Sequence, residues 1–177
     1  MDTAAMVEEM DRARVDFHRL LDRSTDADLR APSNGTRWTN EQLLFHMLFG
    51  YLLVHNLRWL VRALARAPKG VSRGFAGVLN AGTVPFHVVN YVGSLGGGRV
   101  LGRSGMKRLI DWVVARLQKR LQRESDAALG RGMHFPVGWD PYFKEYMTLA
   151  EVYHYATQHY DHHRRQLTLP AAPADQS

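Results

Sequence analysis

Four long segments of this 177-residue chain carry apolar residues at helical spacing, no stretch of useful length alternates apolar and polar residues, and no internal repeat is present. These observations predict an all-α fold, a four-helix bundle. A chain of this length buries its own core as one domain without staples. That domain is expected over residues 1–169, with an extra apolar helical insertion around 70–103. The tail at 170–177, PAAPADQS, is expected to be disordered.

The first helix is expected over residues 3–23, where Met6, Met10, Ala13, Phe17, Leu20 and Leu21 fall near helical spacing. The stretch SNGT then marks a loop. Thr39 followed three residues later by Gln42 forms a capping-box pattern, and Trp38 is placed to act as the preceding hydrophobic staple. A second helix therefore starts there and runs to about Arg66, where Pro68 and Gly70 stop it. Residues 75–98 hold no charge and are flanked by Lys69, Arg73, Arg99 and Arg103. Gly, Asn, Thr, Pro85 and His87 dilute that stretch too far for a membrane span, and its glycine clusters would make hinges. The expectation is a helical hairpin or flap that covers part of the bundle or a partner subunit. A third helix is expected from about Ser104 to Leu129, with Leu109, Trp112, Val113, Leu117 and Leu121 as its apolar stripe, ended by Gly130 and Gly132. After the aromatic loop MHFPVGWDPYF, Thr148 and Glu151 form a second capping box and open the last helix, which runs to about Leu167 ahead of Pro170.

The net charge of +6 arises from 19 Arg and 4 Lys against 17 acidic residues. Such an excess can attract anions, but no compact run of basic residues interleaved with aromatics appears, so nucleic-acid binding is not expected. The arginines are read as spread over solvated helix faces. There is no cysteine. That suits a reducing cytoplasm and means that thiol chemistry would need a thiol brought by another molecule. The start, MDTAAMVEEMDRAR, is acidic and lacks an apolar core of signal-peptide length, so a cytoplasmic location is expected.

Two histidines four residues apart, His159 and His163 in QHYDHHRRQL, carry the functional signal. On a helix, residues i and i+4 project about 40° apart, so both imidazoles can reach one ion. Val152, Tyr155, Ala156 and Gln166 share that face within roughly 60°, which makes it a core-facing stripe. Histidines placed inward among apolar residues need partners, and ligation of a shared metal supplies one for each ring. His46 lies far upstream in the apolar run LLFHMLFGYLLV, on a face with Leu43, Gly50, Leu53 and Leu57. Gly50 costs about 1 kcal/mol of helix propensity relative to Ala, which a close approach by a neighbouring helix or a substrate could offset. Three neutral imidazoles from two helices would hold a divalent transition metal and leave a position open. His162 projects about 60° from His159 and about 100° from His163, so it is not expected to ligate. The residue after His159 is Tyr160 rather than Glu, which excludes HExxH chemistry. Asp161 projects about 160° away from His159, and Glu41 sits near the mouth of the second helix. With no carboxylate general base visible, His162 or a metal-bound hydroxide would serve.

These residues resemble the DinB/YfiT-like superfamily of damage-inducible bundle proteins. The match rests on Trp38 in RWTNEQLLFHM with His46, and on the terminal HYDHHRRQL with His159, His163 and Gln166. It covers the whole chain in outline. The resemblance implies up-down-down-up connections, a three-histidine site for nickel or zinc, and often a homodimer. Members with known activity are largely thiol-dependent S-transferases or isomerases that use a low-molecular-weight thiol, and others have been called metal-dependent hydrolases. The uncharged segment 75–98 is longer than the family's usual connection.

The expected function is therefore metal-dependent turnover of a small-molecule substrate, by thiol transfer or isomerisation or by hydrolysis with metal-bound water. A noncatalytic metal-binding stress-response module is the alternative. For thiol chemistry, Arg37 and Arg165, the arginines nearest in sequence to the two motifs, are expected to hold the thiol's carboxylate.

Overall fold

The computed structural model describes residues 2–169, so the expected tail at 170–177 lies outside the described residues. Seven helices and one two-stranded sheet follow the chain as α1 (Thr3–Arg23), α2 (Asp26–Arg30), α3 (Asn40–Leu64), α4 (Lys69–Ala81), α5 (Thr83–Leu121), α6 (Asp126–Leu129), β1 (Gly132–His134), β2 (Tyr146–Thr148) and α7 (Leu149–Arg164). The four long elements are α1, α3, α5 and α7. α3 packs against α5 and α7, and α1 packs against the same two, so α1 and α3 face each other across the bundle.

Each long helix forms where its apolar stripe can be buried. In α1, Met6, Met10, Ala13, Phe17, Leu20 and Leu21 are all buried, as the periodicity predicts. α3 and α7 both open on complete capping boxes, Thr39 with Gln42 and Thr148 with Glu151. The start of α3 is also tied to its surroundings by the buried Asn40. Its Nδ2 donates to Asp28 O at 2.8 Å and to Thr168 Oγ1 at 2.9 Å, and its Oδ1 accepts from Thr168 N at 3.0 Å. This contact pulls the chain beyond α7 back against the mouth of α3.

The inserted segment is a helical hairpin. α4 and α5 meet at Gly82, and α5 runs on into the bundle through a break at Gly102, whose φ of 59° lies in the region only glycine adopts freely. The hairpin seats on α3 at glycine positions: a Cβ at Gly97 would collide with the ring of Phe45, and one at Gly98 would meet Glu41 at 3.0 Å. Glu41 is thus covered by α5. The outer face of the hairpin keeps Val78, Val84, Val88, Val89, Val92 and Val100 exposed, so the segment covers the bundle on one side only. α3 alone among the described helices is long and apolar enough to cross a membrane, and half of its apolar window is buried in the bundle.

Three sequence expectations need correction. The third bundle helix ends at Leu121 rather than Leu129, because Ser125 accepts from Ala128 N and caps the separate short helix α6. α7 ends at Arg164 rather than Leu167, where the chain turns to meet α3. Strands do occur: β1 and β2 pair antiparallel with Met133 opposite Met147. Each is three residues long, too short to show alternation, and Gly132 lets the strands close, since a Cβ there would collide with the Met147 carbonyl.

Candidate metal centre

α7 is held in rotational register from its outer side. Tyr160 Oη donates to Asp16 at 2.8 Å, Arg164 Nε donates to the same carboxylate at 2.8 Å, Arg12 pairs with Asp161 at 2.7 Å and His154 with Glu9 at 2.7 Å. All of these partners lie on α1. With that face committed, the 100° step turns His159 and His163 toward α3. There they meet His46.

The three rings form a near-equilateral cluster, with centroids 4.8 Å apart for His46–His159, 4.7 Å for His46–His163 and 4.6 Å for His159–His163. One ligand nitrogen from each ring lies within 4.8 Å of the others. The Nε2 atoms of His46 and His159 face each other at 3.2 Å. His46 and His159 are buried, and His163 is half-buried.

Electrostatics prepare the same atoms. Burial first, then the neighbouring His163, pushes the His46 imidazole down to about 3. Burial, with Gln166 opposing and His162 assisting, pushes His163 down to about 4. His159 is held well below its ordinary range by burial and by His46, His163 and His162. All three rings are therefore neutral at pH 7, the form that ligates. His163 Nδ1 donates to Gln166 Oε1 at 2.6 Å, which fixes the tautomer that leaves Nε2 as the ligand atom. The Nδ1 atom of His159 is buried without a hydrogen-bond partner; that of His46 and the Asn90 Oδ1 in the pocket beside it form no well-aligned hydrogen bond, though Asn90 is near enough to oppose the lowering of His46. Three neutral, convergent nitrogens, two of them on buried rings and one on a half-buried ring, fit a divalent transition ion.

Gly50 explains how His159 reaches this point. A Cβ at position 50 would stand 2.5 Å from His159 Nδ1, so the missing side chain makes room for the imidazole itself. Trp38, which packs against the core ahead of α3, lays its ring over His46 at 4.4 Å and continues a stack with Tyr91 of the hairpin at 6.2 Å.

A profile of the DinB superfamily matches residues 9–167. The chain belongs to the DinB superfamily. No curated protein and no solved structure matches it. The superfamily assignment agrees with the helical bundle and with a cluster of three histidines that could hold a metal ion.

One functional group of this DinB-superfamily chain escapes sequence reasoning. Asp140, in the loop between β1 and β2, places Oδ2 3.8 Å from His159 Nε2. Its Oδ2 accepts from Tyr155 Oη at 2.9 Å and its Oδ1 from Tyr142 N at 2.8 Å. Burial outweighs those hydrogen bonds and raises the carboxyl above its ordinary range. The expectation of no carboxylate near the site is thus overturned by a loop that has no helical phase to read. Two signals pointed to it: Asp140 is the one acidic residue in MHFPVGWDPYF, and Tyr155, on the His159 face, needs an acceptor for its hydroxyl once buried.

Asp140 stands at the edge of a small pocket lined by Phe49, Leu53, Phe86, Trp139, Phe143 and Tyr155, with His46 and His159 in its wall. Phe86 of the hairpin stacks on Trp139 at 3.8 Å, so the insertion builds one wall of the pocket. His162 lies outside the three-nitrogen cluster, as its phase predicts, and its Nδ1 meets Tyr142 Oη at 3.2 Å. Arg37 and Arg165 are both exposed and stand outside the pocket lining. Beside the His163 end of the cluster, Asn34 N donates to Gln166 O at 2.7 Å.

Proposed function

We propose that this chain is a metal-dependent enzyme in which His46, His159 and His163 hold a divalent transition ion, zinc or nickel, beside an apolar pocket, and Asp140 manages the proton of the nucleophile. The observation that carries the reading is the half-buried Asp140 carboxylate, 3.8 Å from a candidate ligand nitrogen and in the lining of the apolar pocket. An ion held there would supply a Lewis acid that lowers the pKa of a thiol or water placed at its open position. Asp140, with its proton affinity raised by burial and its orientation fixed by Tyr155 and Tyr142, accepts the nucleophile's proton at Oδ2. On the same loop the Tyr142 hydroxyl meets the half-buried His162, a second group able to exchange protons with bulk water. Phe49, Leu53, Phe86, Trp139 and Phe143 exclude water and receive an apolar electrophile.

Thiol-dependent transfer or isomerisation is the preferred chemistry, because the chain has no thiol of its own and the superfamily resemblance points to one brought from outside. Arg37 and Arg165, the arginines nearest in sequence to the two motifs, would then hold the thiol's carboxylate. Hydrolysis would use the same residues with water as nucleophile.

A second reading is favoured by the same 3.8 Å separation: a small shift would make Asp140 a fourth ligand, closing the site as in a noncatalytic metal-binding module. Asp140→Asn separates the two. The enzyme reading expects a variant that keeps its metal and loses at least tenfold in turnover across a panel of electrophiles assayed with small thiols or water. Loss of metal from the variant, without any turnover by the wild type, would establish the closed site instead.

A further inference from the structure

Between His46 and Arg58, α3 advances about 18 Å. At that distant end α3 and α5 form a second pocket, lined by Arg58, Trp59, Arg116, Lys119, Arg120 and Arg123. Five cations and one indole line it, with no carboxylate among them. Arg120 has its counter-charge nearby, since Arg120 Nε at 3.0 Å and Arg62 Nη1 at 2.6 Å share Glu124.

Arg58 has none. It is only 6% exposed, and both its Nε and its Nη1 are buried without a hydrogen-bond partner. A guanidinium does not lose its proton in a protein, so this residue carries a charge with no hydrogen-bonded counter-ion into the fold. The Tyr153 hydroxyl, within range of the Arg58 charge, is likewise buried and unpartnered. Trp59 holds the Arg58 guanidinium 4.6 Å over its ring and that of Arg120 at 5.6 Å. Orphaned donors at the base of a cationic pocket are what an oxyanion would satisfy.

We propose that this pocket binds a small molecule bearing a diphosphate or similarly multivalent phosphate group, with Arg58 as the anchor and Arg116, Lys119 and Arg123 closing over the remaining charge. Phosphate fits better than a single carboxylate, because one negative charge would leave most of the lining cations unanswered, and arginine forks match phosphate oxygens in pairs. A small molecule fits better than a nucleic acid, because Arg58 is reached only by a terminal group that enters the pocket.

The test is calorimetric titration of the full chain with inorganic pyrophosphate at constant ionic strength, alongside thermal unfolding. Saturable one-to-one binding with a raised unfolding temperature is expected. Arg116→Gln/Arg123→Gln, two exposed changes that leave the core intact, should weaken binding by about tenfold or more. Arg58→Met should abolish the pyrophosphate-induced rise while leaving the unliganded unfolding temperature equal or higher, since it removes an unpartnered buried charge. His159→Ala should bind pyrophosphate like the wild type, which separates this pocket from chelation at the histidines. Sulfate or chloride matching pyrophosphate at equal ionic strength would overturn the proposal. So would wild-type pyrophosphate affinity in the Arg116→Gln/Arg123→Gln variant, or a single-stranded oligonucleotide binding more tightly than pyrophosphate. Should Arg58→Met fail to fold, the double variant decides alone.

Discussion

Replacing Gly50 with Ala should disable the histidine cluster while barely touching the fold. The added Cβ would lie 2.5 Å from His159 Nδ1, 3.1 Å from its Cε1 and 3.3 Å from its Cγ, whereas ordinary contact begins at 3.4 Å. The ring must therefore retreat by about 0.9 Å, while ligand distances tolerate about 0.2 Å. It has little room to do so, being buried with His46 at 4.8 Å and Tyr155 at 5.6 Å between ring centroids. Effective loss of one of three ligands should weaken metal binding by about a hundredfold or more, roughly 3 kcal/mol. Stability is nearly balanced: Ala gains about 1 kcal/mol of helix propensity against about 1–3 kcal/mol of crowding. In Gly50→Ala/His159→Ala the clash is gone, so this double variant should be more stable than His159→Ala by about 1 kcal/mol, a non-additivity that locates the contact. Chelator-competition titration and urea unfolding of the four proteins measure both quantities. Wild-type metal affinity in a folded Gly50→Ala variant would refute the placement of His159.

Acid should destabilise the metal-free protein in a defined window. His46 and His163 sit at about 3 and about 4 in the fold and His159 well below its ordinary value, against about 6.5 in the unfolded chain, so the unfolded state takes up protons first as pH falls. Stability is full above about pH 6.5 and declines as the pH falls toward 4, because each of the three rings is protonated in the unfolded chain before it is in the fold. Urea midpoints at pH 7.5, 6 and 5 check this, and a midpoint that does not move contradicts it. Gly97→Ala should lift the hairpin from Phe45 and cost about 1–3 kcal/mol in thermal unfolding; an unchanged melting temperature would show that the hairpin is not seated there. His162→Ala should leave metal content intact and slow turnover, because its ring contacts Tyr142 rather than the cluster.

How much of this was legible in the sequence follows from where periodicity operates. The α1 stripe, both capping boxes and the inward phase of His46, His159 and His163 were readable because a helix fixes each side chain's direction from its neighbours. Asp140 was not, since a loop sets direction by turns and tertiary hydrogen bonds rather than by spacing. The Ser125 cap was present in the sequence but outweighed by the continuing apolar stripe. No contiguous basic run in the sequence marks the arginines as anything but solvated. In the fold, Arg58 and Trp59 of α3, Arg116, Lys119 and Arg120 of α5 and Arg123 in the turn just past α5 converge, so the basic pocket arises only when α3 packs on α5.

The central claim is that three histidines from two helices share one ion. Elemental analysis of the purified wild type and of His46→Ala, His159→Ala, His163→Ala and His162→Ala tests it most directly, with unfolding before and after chelation confirming that each protein is folded. The geometry predicts about one divalent transition ion per wild-type chain, retention in His162→Ala and loss from the other three, because each removes one of three converging nitrogens. Loss of metal from His162→Ala together with retention in His159→Ala would contradict the helical phase of α7 and the site built on it.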